Sequence, residues 1–582
     1  MKYPEITNKN FYNDIYEDYK KFHIPKKKRT FNEICFPDKY ELQPSQKFLP
    51  EFINPKTPYK SILIYHKIGS GKTCTAIRVA EEWKKIRNIF VVLPASLKNS
   101  FRGELRSKCA NDDYLKESER NKLRKLHPTS PEYEKIIRES DDRINKYYNI
   151  FSYNKFIQQV KINKINLKNS ILIIDEIQNM VSIKGSYYNI LYELIKKAPS
   201  DLRIVLLSAT PMFDRPNEIA LTMNLLKLQQ ELPIGSAFNK EFINIIRKDD
   251  KIIYKAKNLM KFKKMIKGHV SYFRGAPDYV FPEMKIKFVR CVMSNFQYSA
   301  YKTVSCEKFE DDEEKTQCQD NGPEYERNID LLTIDDLPHN FFLGSRIISN
   351  IVFPNKKINE EGFESFKGTK ITDDLEKYST KFNKIIKKIE KGQGKMFFYS
   401  GFKKYGGIKS FAQVLEAFGY KNYIDHGEGK RRYAIWSGDQ DMMTKRELES
   451  VFNNKRNLDG SRVKILLLSP SAKEGLSLYG IRQAHILENY WNWSRMLQII
   501  GRGSRYCSHK DLPEEERNIK VYIYLSVHPK EKETIDEYIY ELSKTKNKLI
   551  EQFEQAIKEA AVDCELFKNA NTSNDNDIIC EK

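Results

Sequence analysis

The chain has 582 residues, and at about 100–200 residues per domain this length predicts about three or four structural units rather than one core. Hydrophobic residues make up 40% and charged residues 31% of the sequence, which is typical of a soluble globular protein, and no apolar run approaches the roughly 18 residues that span a bilayer. The formal net charge of +22 predicts attraction to a polyanion such as nucleic acid, although a lysine-rich coding bias would explain it equally well.

The N-terminal sequence and the cysteines indicate that the protein stays in a reducing compartment. The first 22 residues contain no apolar segment of the kind found in secretory signals, so we expect neither export nor membrane association. The nine cysteines are scattered singly, an odd number with no C-x-x-C pair. This pattern predicts structural thiols in a reducing compartment, and neither a disulfide framework nor a zinc site.

Residues 1–40 are polar and aromatic and are predicted to form an N-terminal extension. The segment that follows, Leu42-Gln-Pro-Ser-Gln46, contains a candidate base-binding residue. The amide of Gln46 presents a donor beside an acceptor, which matches the two edges of an adenine. An ordinary helix N-terminus is the alternative explanation of the same residues.

The stretch 61–73, SILIYHKIGSGKT, predicts a buried strand, a phosphate-binding loop and the start of a helix. Gly69 and Gly71 would let the backbone turn tightly and bring its N–H groups against phosphate oxygens. Lys72 would reach the β- and γ-phosphates, and the Thr73 hydroxyl would hold a magnesium ion. His66 stands where the full phosphate-loop pattern has its first glycine, so by itself the match could be a chance surface turn.

Strands and helical segments alternate after this loop, which predicts a right-handed parallel α/β sheet. A helix is expected over 74–87, and residues 103–148 are polar enough to form an exposed helical insertion. The further strands expected in this part are 88–94, 149–152, 170–174 and 203–207.

The alternation weakens from about residue 215 and resumes after residue 375. A charged section at 305–330 is predicted to be disordered or inserted. A second α/β unit follows, with expected strands 395–399, 433–436, 464–468, 484–487 and 520–525. The segment 532–567 has apolar residues at helical spacing and is predicted to be a long amphipathic helix that packs on a core.

Two carboxylates directly follow the apolar strand 170–174. An ATPase needs carboxylates at the end of a strand near the phosphate loop, to hold magnesium and to polarise water. Asp175 is the candidate for the metal and Glu176 is the candidate for the base. An Asp-Glu pair after a strand is common by chance, but its place in the same predicted sheet favours the functional interpretation.

Two arginines in the second α/β unit are candidates for stabilising charge on the γ-phosphate. In the segment Gln498-Ile-Ile-Gly-Arg502-Gly-Ser-Arg505, the arginines are separated by about one helical turn. We therefore expect both guanidinium groups to lie on one face of a helix and to project into a cleft. A basic helix surface is the alternative.

Together these motifs resemble the superfamily 2 helicases. The resemblance rests on Gln46, Gly69–Thr73, Asp175–Gln178, Ser208–Thr210, Ser471–Gly475 and Gln498–Arg505, in that order along the chain. It implies an α/β fold with two tandem RecA-like domains, parallel sheets, helical insertions and a C-terminal helical segment. It also implies that ATP binds in the cleft between the domains and that nucleic acid lies across the top.

The resemblance implies five segments along the chain. These are an N-terminal extension (1–40), a first RecA-like domain (41–275) with a polar insertion (103–148), an inserted or linker region (276–375), a second RecA-like domain (376–530), and a C-terminal helix and tail (531–582).

The resemblance also assigns roles to individual residues. Catalysis is implied for Lys72, Asp175, Glu176, Gln498, Arg502 and Arg505. Contact with ATP is implied for Gln46, Gly69, Ser70, Gly71, Lys72, Thr73 and Gly475, and binding of Mg²⁺ for Thr73 and Asp175. Coupling of the γ-phosphate to domain closure is implied for Gln178, Ser208 and Thr210, and nucleic-acid contact for Pro94, Ser96, Ser400 and Ser471.

The C-terminal part looks more specifically like the poxvirus-type nucleoside triphosphate phosphohydrolase I and the small subunit of the related early transcription factor. The segments that carry this likeness are 481–488, 491–494, 501–513 and 558–564. Comparable proteins occur in cytoplasmic DNA viruses and yeast linear plasmids. The likeness implies a cytoplasmic protein, or one packaged in a virion, that works with RNA polymerase or other transcription subunits.

Three functions are consistent with these residues. The first is a DNA-dependent ATPase that translocates on DNA during cytoplasmic transcription. The second is an RNA helicase that acts on transcripts, since no residue recognisably identifies a 2′-hydroxyl. The third is a transcription-factor subunit that uses ATP as a conformational switch and docks on polymerase through the segment 215–375. A nuclease is disfavoured because no further carboxylate cluster accompanies the motifs.

Overall fold

The computed structural model describes residues 3–26, 29–127, 130–182, 185–248, 251–306, 343–473, 476–572 and 578–582. The chain divides into two units. Unit 1 comprises Met1–Val280 and Thr545–Lys582, and unit 2 comprises Phe281–Lys544. The section predicted to be disordered or inserted, 305–330, lies outside the described residues from position 307 onward, and Gly475 also lies outside them.

Unit 1 is built on a six-stranded parallel sheet with the order β3-β2-β4-β5-β1-β8. Its strands are β1 (Ser61–His66), β2 (Asn88–Leu93), β3 (Tyr148–Ser152), β4 (Ser170–Ile174), β5 (Arg203–Ser208) and β8 (Val270–Phe273), and a separate antiparallel hairpin is formed by β6 (Ile243–Lys248) and β7 (Lys251–Ala256). Side chains of β1 alternate between two apolar clusters, with Leu63 and Tyr65 on one face and Ile62 and Ile64 on the other. A parallel sheet buried on both faces requires such an uninterrupted apolar strand.

Helices cover both faces of this sheet. They are α1 (Phe11–Tyr19), α2 (Phe31–Cys35), α3 (Pro44–Phe52), α4 (Lys72–Glu81), α5 (Lys98–Leu105), α6 (Glu117–Leu123), α7 (Pro131–Asn145), α8 (Tyr153–Lys161), α9 (Ser186–Lys197), α10 (Glu218–Asn224), α11 (Gly235–Phe242) and α12 (Leu259–Met265). The helix expected over 74–87 is shorter than predicted, because after Glu81 the backbone tightens into a turn in which the Trp83 N–H bonds the Ala80 carbonyl oxygen.

Unit 2 contains a seven-stranded parallel sheet with the order β11-β12-β13-β10-β14-β15-β9. Its strands are β9 (Glu283–Val292), β10 (Lys395–Tyr399), β11 (Lys421–Asn422), β12 (Arg432–Trp436), β13 (Ile465–Leu468), β14 (Ile481–Ile486) and β15 (Asn518–Val527). Met396 and Phe398 of β10 point into one apolar cluster, and Phe397 and Tyr399 point into another. The two parallel sheets confirm the predicted α/β fold class.

The helices of unit 2 lie on both sides of this sheet. They are α13 (Asn295–Cys306), α14 (Leu343–Asn350), α15 (Glu360–Lys367), α16 (Ile371–Tyr378), α17 (Thr380–Lys391), α18 (Ile408–Ala417), α19 (Tyr423–His426), α20 (Met442–Asn453) and α21 (Trp493–Ile500). In the part of the chain that the structure describes, none of the helices combines the length and apolar character needed to cross a lipid bilayer.

The C-terminal segment forms two helices instead of the single helix expected over 532–567. These are α22 (Ile535–Glu559) and α23 (Cys564–Asn571). The break follows from the Val562 N–H, which bonds the Val270 carbonyl oxygen of β8 rather than a carbonyl of its own helix. Phe553 and Ile557 of α22 are buried in the core of unit 1, as their helical spacing predicts.

The expectation that the cysteines form no disulfides is wrong for two pairs. Cys74 is bonded to Cys109, and Cys564 is bonded to Cys580. The fold brings the Cα atoms of these pairs to 5.8 and 5.7 Å, within the range that a disulfide spans. Their sequence separations of 35 and 16 residues follow no recognisable spacing motif, so neither pairing could be predicted from the sequence.

Candidate functional site

The predicted phosphate loop connects the end of β1 to the start of α4. Gly69 and Gly71 have φ angles of +86° and +76°, a region that disfavours any residue with a Cβ atom. Gly71 is the residue that directly precedes the helix, and Lys72 is the first residue within it. The loop backbone therefore ends where the positive end of the helix dipole begins, which is suited to an anion.

Gln46 is held against this loop. Its Nε2 donates to the Gly71 carbonyl oxygen at 3.2 Å, and its Oε1 accepts from the Gln43 N–H at 2.8 Å. A Cβ atom at position 71 would collide with Gln46 Nε2 and displace the amide from the loop, and the positive φ angle of Gly71 itself favours glycine. Gln46 thus caps α3 and fixes the loop at the same time, and its contact with adenine stays a prediction.

The Lys72 ammonium lies between the two predicted carboxylates. Its Nζ is 2.7 Å from Glu176 Oε1 and 3.3 Å from Asp175 Oδ1, and only 11% of the lysine side chain is exposed. Burial disfavours the charged lysine, but Asp175 and Glu176 outweigh that penalty and hold the pKa of Lys72 above its usual value. The three side chains form one buried charged cluster at the carboxyl ends of β1 and β4.

The cluster continues through hydrogen bonds to the residues predicted to couple ATP to movement. Gln178 Nε2 donates to Glu176 Oε2 at 2.6 Å, and Gln178 Oε1 accepts from Ser208 Oγ at 2.7 Å. Ser208 Oγ in turn accepts from the Thr210 N–H at 3.0 Å. An unbroken chain of polar contacts therefore runs from Lys72 to Thr210 across three strand ends of one sheet.

Tyr153 is a site residue that the motifs did not indicate. It follows β3, and its hydroxyl donates to the carbonyl oxygens of Asp175 at 2.5 Å and of Glu176 at 2.9 Å. Glu176 has a φ of +51°, which is uncommon for a residue with a side chain and costs free energy. Tyr153 holds the peptide in this conformation, and its place just after a strand of the same sheet was the only available signal.

The loop fits a nucleoside triphosphate. Ser70 is 3% exposed, and within the described parts of the chain its Oγ has no hydrogen-bond partner. Gly275 packs against this residue so closely that an added Cβ would lie 2.8 Å from Ser70 Cα. A buried hydroxyl without a partner, two glycine N–H groups and a lysine form the donor set that phosphate oxygens require. Thr73, the second residue of α4, lies beside this set.

The two predicted arginines of unit 2 contact the same backbone carbonyl oxygen, but they do not lie on one face of a helix. α21 contains Gln498 and ends at Ile500, so Arg502 and Arg505 lie in the turns that follow it. Arg502 Nη1 and Arg505 Nη2 both donate to the Leu476 carbonyl oxygen, at 3.2 and 2.8 Å. The expected helical spacing was wrong because the chain turns at Gly501, and a shared backbone acceptor brings the guanidinium groups together instead.

The residues predicted to contact nucleic acid are divided between the two units. Pro94 and Ser96 follow β2 in unit 1, and Ser96 is exposed. In unit 2, Ser400 follows β10 and donates to Glu488 at 3.1 Å, while Ser471 follows β13 and contacts Ser469 at 2.8 Å. All four stand at carboxyl ends of parallel strands, where ligands of open α/β sheets bind.

The comparisons with known proteins agree with this chemistry. The protein family described as "Type III restriction enzyme, res subunit" matches residues 35–213. A protein of Acanthamoeba polyphaga mimivirus named "Putative ATP-dependent RNA helicase R563" is 50% identical over 584 residues, which cover 100% of this chain and 99% of the relative.

Two more distant relatives match most of the chain. The "Uncharacterized killer plasmid pGKL-2 helicase" of Kluyveromyces lactis is 26% identical, over 88% of this chain and 68% of the relative. The "Termination factor NPH-I homolog" of African swine fever virus is 25% identical, over 87% of this chain and 76% of the relative. These similarities confirm the resemblance to viral and plasmid proteins that the motifs predicted.

Proposed function

This chain belongs to the superfamily 2 helicases, and from that premise we propose that it is a DNA-dependent ATPase that moves along DNA during transcription. The observation that carries the proposal is the continuous polar chain from Lys72 through Glu176 and Gln178 to Ser208 and Thr210. Such a chain gives the nucleotide-binding residues a direct physical link to the other strand ends of the sheet. A change at the γ-phosphate can therefore alter the contacts of Ser208 and Thr210.

The site residues take these roles in hydrolysis. The N–H groups of the phosphate loop, with Ser70 and Lys72, bind the triphosphate. Glu176 accepts a proton from the attacking water, which its position beside Lys72 supports. A magnesium ion would neutralise phosphate charge, and Thr73 and Asp175 would hold it. The triphosphate would draw Lys72 away from both carboxylates and leave them available for these tasks.

Arg502 and Arg505 supply positive charge that stabilises the transition state, with Gln498 beside them in the same motif. Their shared acceptor, the Leu476 carbonyl oxygen, supports this role.

Transcription as the setting is supported by the African swine fever virus relative, whose name is that of a termination factor. The net charge of +22 favours binding of a nucleic-acid backbone. Contacts that are mostly to phosphates would make binding weakly sequence-specific and strongly salt-dependent. We propose that this activity takes place in the cytoplasm, together with RNA polymerase or other transcription subunits.

A second candidate function is an RNA helicase that acts on transcripts. The observation in its favour is the name of the mimivirus relative that is 50% identical to this chain, "Putative ATP-dependent RNA helicase R563". The motifs of unit 1 would serve either nucleic acid, because they act on ATP rather than on the strand.

The deciding experiment measures ATP turnover of the full chain with duplex DNA, single-stranded DNA, RNA or no nucleic acid. We expect DNA to raise turnover and RNA to raise it less. The Lys72→Ala variant is the control for contaminating ATPases. Stimulation by RNA alone would replace the first proposal with the second, and turnover that neither nucleic acid changes would contradict both.

A further inference from the structure

The C-terminal segment of the chain forms part of the surroundings of the phosphate loop. β8 pairs with β1 in parallel, so that Ser271 and Phe273 lie opposite Ile64 and His66. Residues 560–571 lie along β8, and the Val562 N–H bonds the Val270 carbonyl oxygen at 2.8 Å. β8, the strand that pairs with β1, therefore contacts residues far along the chain, such as Asp563, which is 292 positions beyond Ser271.

Asp563 is the centre of this contact. It is fully buried, its Oδ1 accepts from the Tyr272 N–H at 2.9 Å, and its Oδ2 accepts from Ser271 Oγ. Ser271 Oγ also contacts His66 Nε2 at 2.9 Å. His66 is the last residue of β1 and directly precedes the phosphate loop. A buried chain of three side chains thus joins the C-terminal segment to the start of the loop.

The direction of these hydrogen bonds follows from their chemistry. Burial raises the pKa of Asp563 to about 7, so the carboxyl changes its protonation state near neutral pH. In its ionised form Asp563 can only accept, and the Ser271 hydroxyl hydrogen is then committed to it. His66 Nε2 must then be the donor to Ser271 Oγ, which places the ring proton on Nε2. Burial lowers the pKa of His66 to about 3, so the ring is neutral near pH 7. The ionised form of Asp563 therefore sets both the orientation and the tautomer of the histidine.

Two further contacts support the loop from the same segment. Glu554 of α22 lies 3.6 Å from Nζ of Lys67, the first residue of the loop. Asn571 of α23 accepts from the Arg274 N–H at 2.9 Å and donates to the Tyr272 carbonyl oxygen at 3.1 Å. Arg274 leads directly to Gly275, the residue that packs on Ser70 of the loop. The C-terminal segment thus reaches the loop at its beginning and, through Gly275, at its middle.

We propose that Asp563 is a positioning residue for ATP hydrolysis, which through Ser271 and His66 holds the phosphate loop in its catalytic arrangement. This inference rests on the proposed ATPase activity. The loop N–H groups must meet phosphate oxygens at hydrogen-bond distance, and displacements of about 1 Å at such sites lower rates by up to about 100-fold. His66, which departs from the usual glycine of the motif, is the residue that makes this support available.

The test compares variants of each member of the chain in the full-length protein. Asp563→Asn keeps the shape and the acceptor for Tyr272, but its amide would donate to Ser271 and reverse the bond to His66. We expect Asp563→Asn, Ser271→Ala and His66→Leu each to lower kcat for MgATP about tenfold, with KM changed much less. His66→Gln keeps an N–H near the Nε2 position and should retain most of the activity.

Asn224→Ala is the matched control. Asn224 is buried in unit 1 and makes two hydrogen bonds, both to the Leu232 backbone, so its loss should lower the melting temperature and leave kcat near wild type. Asp563→Asn combined with Ser271→Ala should lower kcat no further than either change alone, because both break one chain. The inference is overturned if folded variants keep wild-type kcat, or if the control lowers kcat as much. If Asp563→Asn does not fold, kcat of His66→Leu is compared with kcat of His66→Gln. Equal, wild-type values of kcat in the two folded variants would overturn the inference.

The same measurements separate this inference from the proposed function. Turnover that survives Lys72→Ala would remove the ATPase assignment itself. Turnover that is lost in Lys72→Ala but unchanged in the folded Asp563, Ser271 and His66 variants would leave the ATPase in place and remove only the positioning role.

Discussion

In both parallel sheets the predicted functional side chains lie at the carboxyl ends of the strands, but the contacts that these side chains make differ between the two units. In unit 1, side chains from three strand ends contact one another, and Lys72 lies between two carboxylates. In unit 2, Ser400 contacts Glu488, and the two motif arginines share the Leu476 carbonyl oxygen. In unit 1 the charged side chains therefore contact one another directly, whereas in unit 2 the two arginines have a backbone carbonyl oxygen in common.

This difference suggests different roles for the two units in ATP binding and hydrolysis. A buried lysine paired with two carboxylates is costly to disturb, because the loss of one partner leaves a buried charge uncompensated. Guanidinium groups such as those of Arg502 and Arg505 stabilise the negative charge that develops in the transition state. We therefore expect unit 1 to determine nucleotide binding and hydrolysis, and unit 2 to contribute mainly to the transition state.

The largest effect is expected from the charged cluster of unit 1. Glu176→Gln should lower kcat by about 10³-fold, because the amide cannot accept the proton of the attacking water. ATP binding should be retained, as calorimetry with a slowly hydrolysed ATP analogue would measure. Lys72→Ala should lose both turnover and binding. If both variants kept their turnover, the assigned site would be wrong.

A smaller effect, with a different signature, is expected from unit 2. Arg505→Ala should lower kcat by about 100-fold while nucleotide affinity changes less, because the charge acts mainly in the transition state. Steady-state kinetics and direct nucleotide binding would be compared, with Arg502→Ala measured in parallel. Equal losses of affinity and turnover would indicate that unit 2 binds ATP in the ground state, and the contrast between the units would disappear.

The sequence predicted the elements that depend on local pattern. The strands around the phosphate loop are short apolar runs that end in small or charged residues, and the structure has a strand at each of them, within one or two residues of the expected bounds. β8 was missed because its sequence, VSYF, contains a polar serine at 271. That serine is tolerated within the core because Asp563 and His66 satisfy its hydroxyl.

What the sequence could not predict depends on contacts between distant residues. The meeting of Cys74 with Cys109 and the return of residues 545–582 to unit 1 leave no periodic signal. The arginine motif was placed on a helix from its spacing, but Gly501 ends the helix and the Leu476 carbonyl oxygen determines where both side chains lie. Motifs identified the chemical groups, and tertiary contacts determined their partners.

A change at Ser208 is expected to lower the stimulation of ATP turnover by nucleic acid about tenfold, with little change in the basal rate of hydrolysis. Ser208→Ala removes the hydroxyl that joins Gln178 to the Thr210 N–H, and so breaks the polar chain beyond Glu176. Basal turnover should stay within about twofold of wild type, while stimulation by nucleic acid should fall about tenfold, in line with typical coupling free energies of 1–3 kcal/mol. Turnover with and without DNA measures both quantities. Loss of basal turnover would place Ser208 within the hydrolytic site instead.

The smallest effect on kcat is expected at Tyr153. Its hydroxyl contacts the backbone carbonyl oxygens of Asp175 and Glu176 and not a charged side chain of the cluster. Tyr153→Phe removes two hydrogen bonds to carbonyl oxygens and keeps the ring, so the free energy of unfolding should fall by about 1–2 kcal/mol. Because the φ of Glu176 would then be less firmly held, kcat should fall about threefold, since small misplacements of a base are felt in the rate.

The matched control for Tyr153 is Tyr192→Phe, which removes a hydroxyl bonded to Glu231 at 2.7 Å on the surface of the same unit. Tyr192→Phe should leave kcat unchanged, because the hydrogen bond between Tyr192 and Glu231 does not involve the charged cluster. Denaturant unfolding and steady-state kinetics of both variants would separate stability from rate. If Tyr153→Phe lowered stability but not kcat, the position of Glu176 would not depend on the Tyr153 hydroxyl. Side-chain contacts such as those with Gln178 and Lys72 would then be sufficient to hold it.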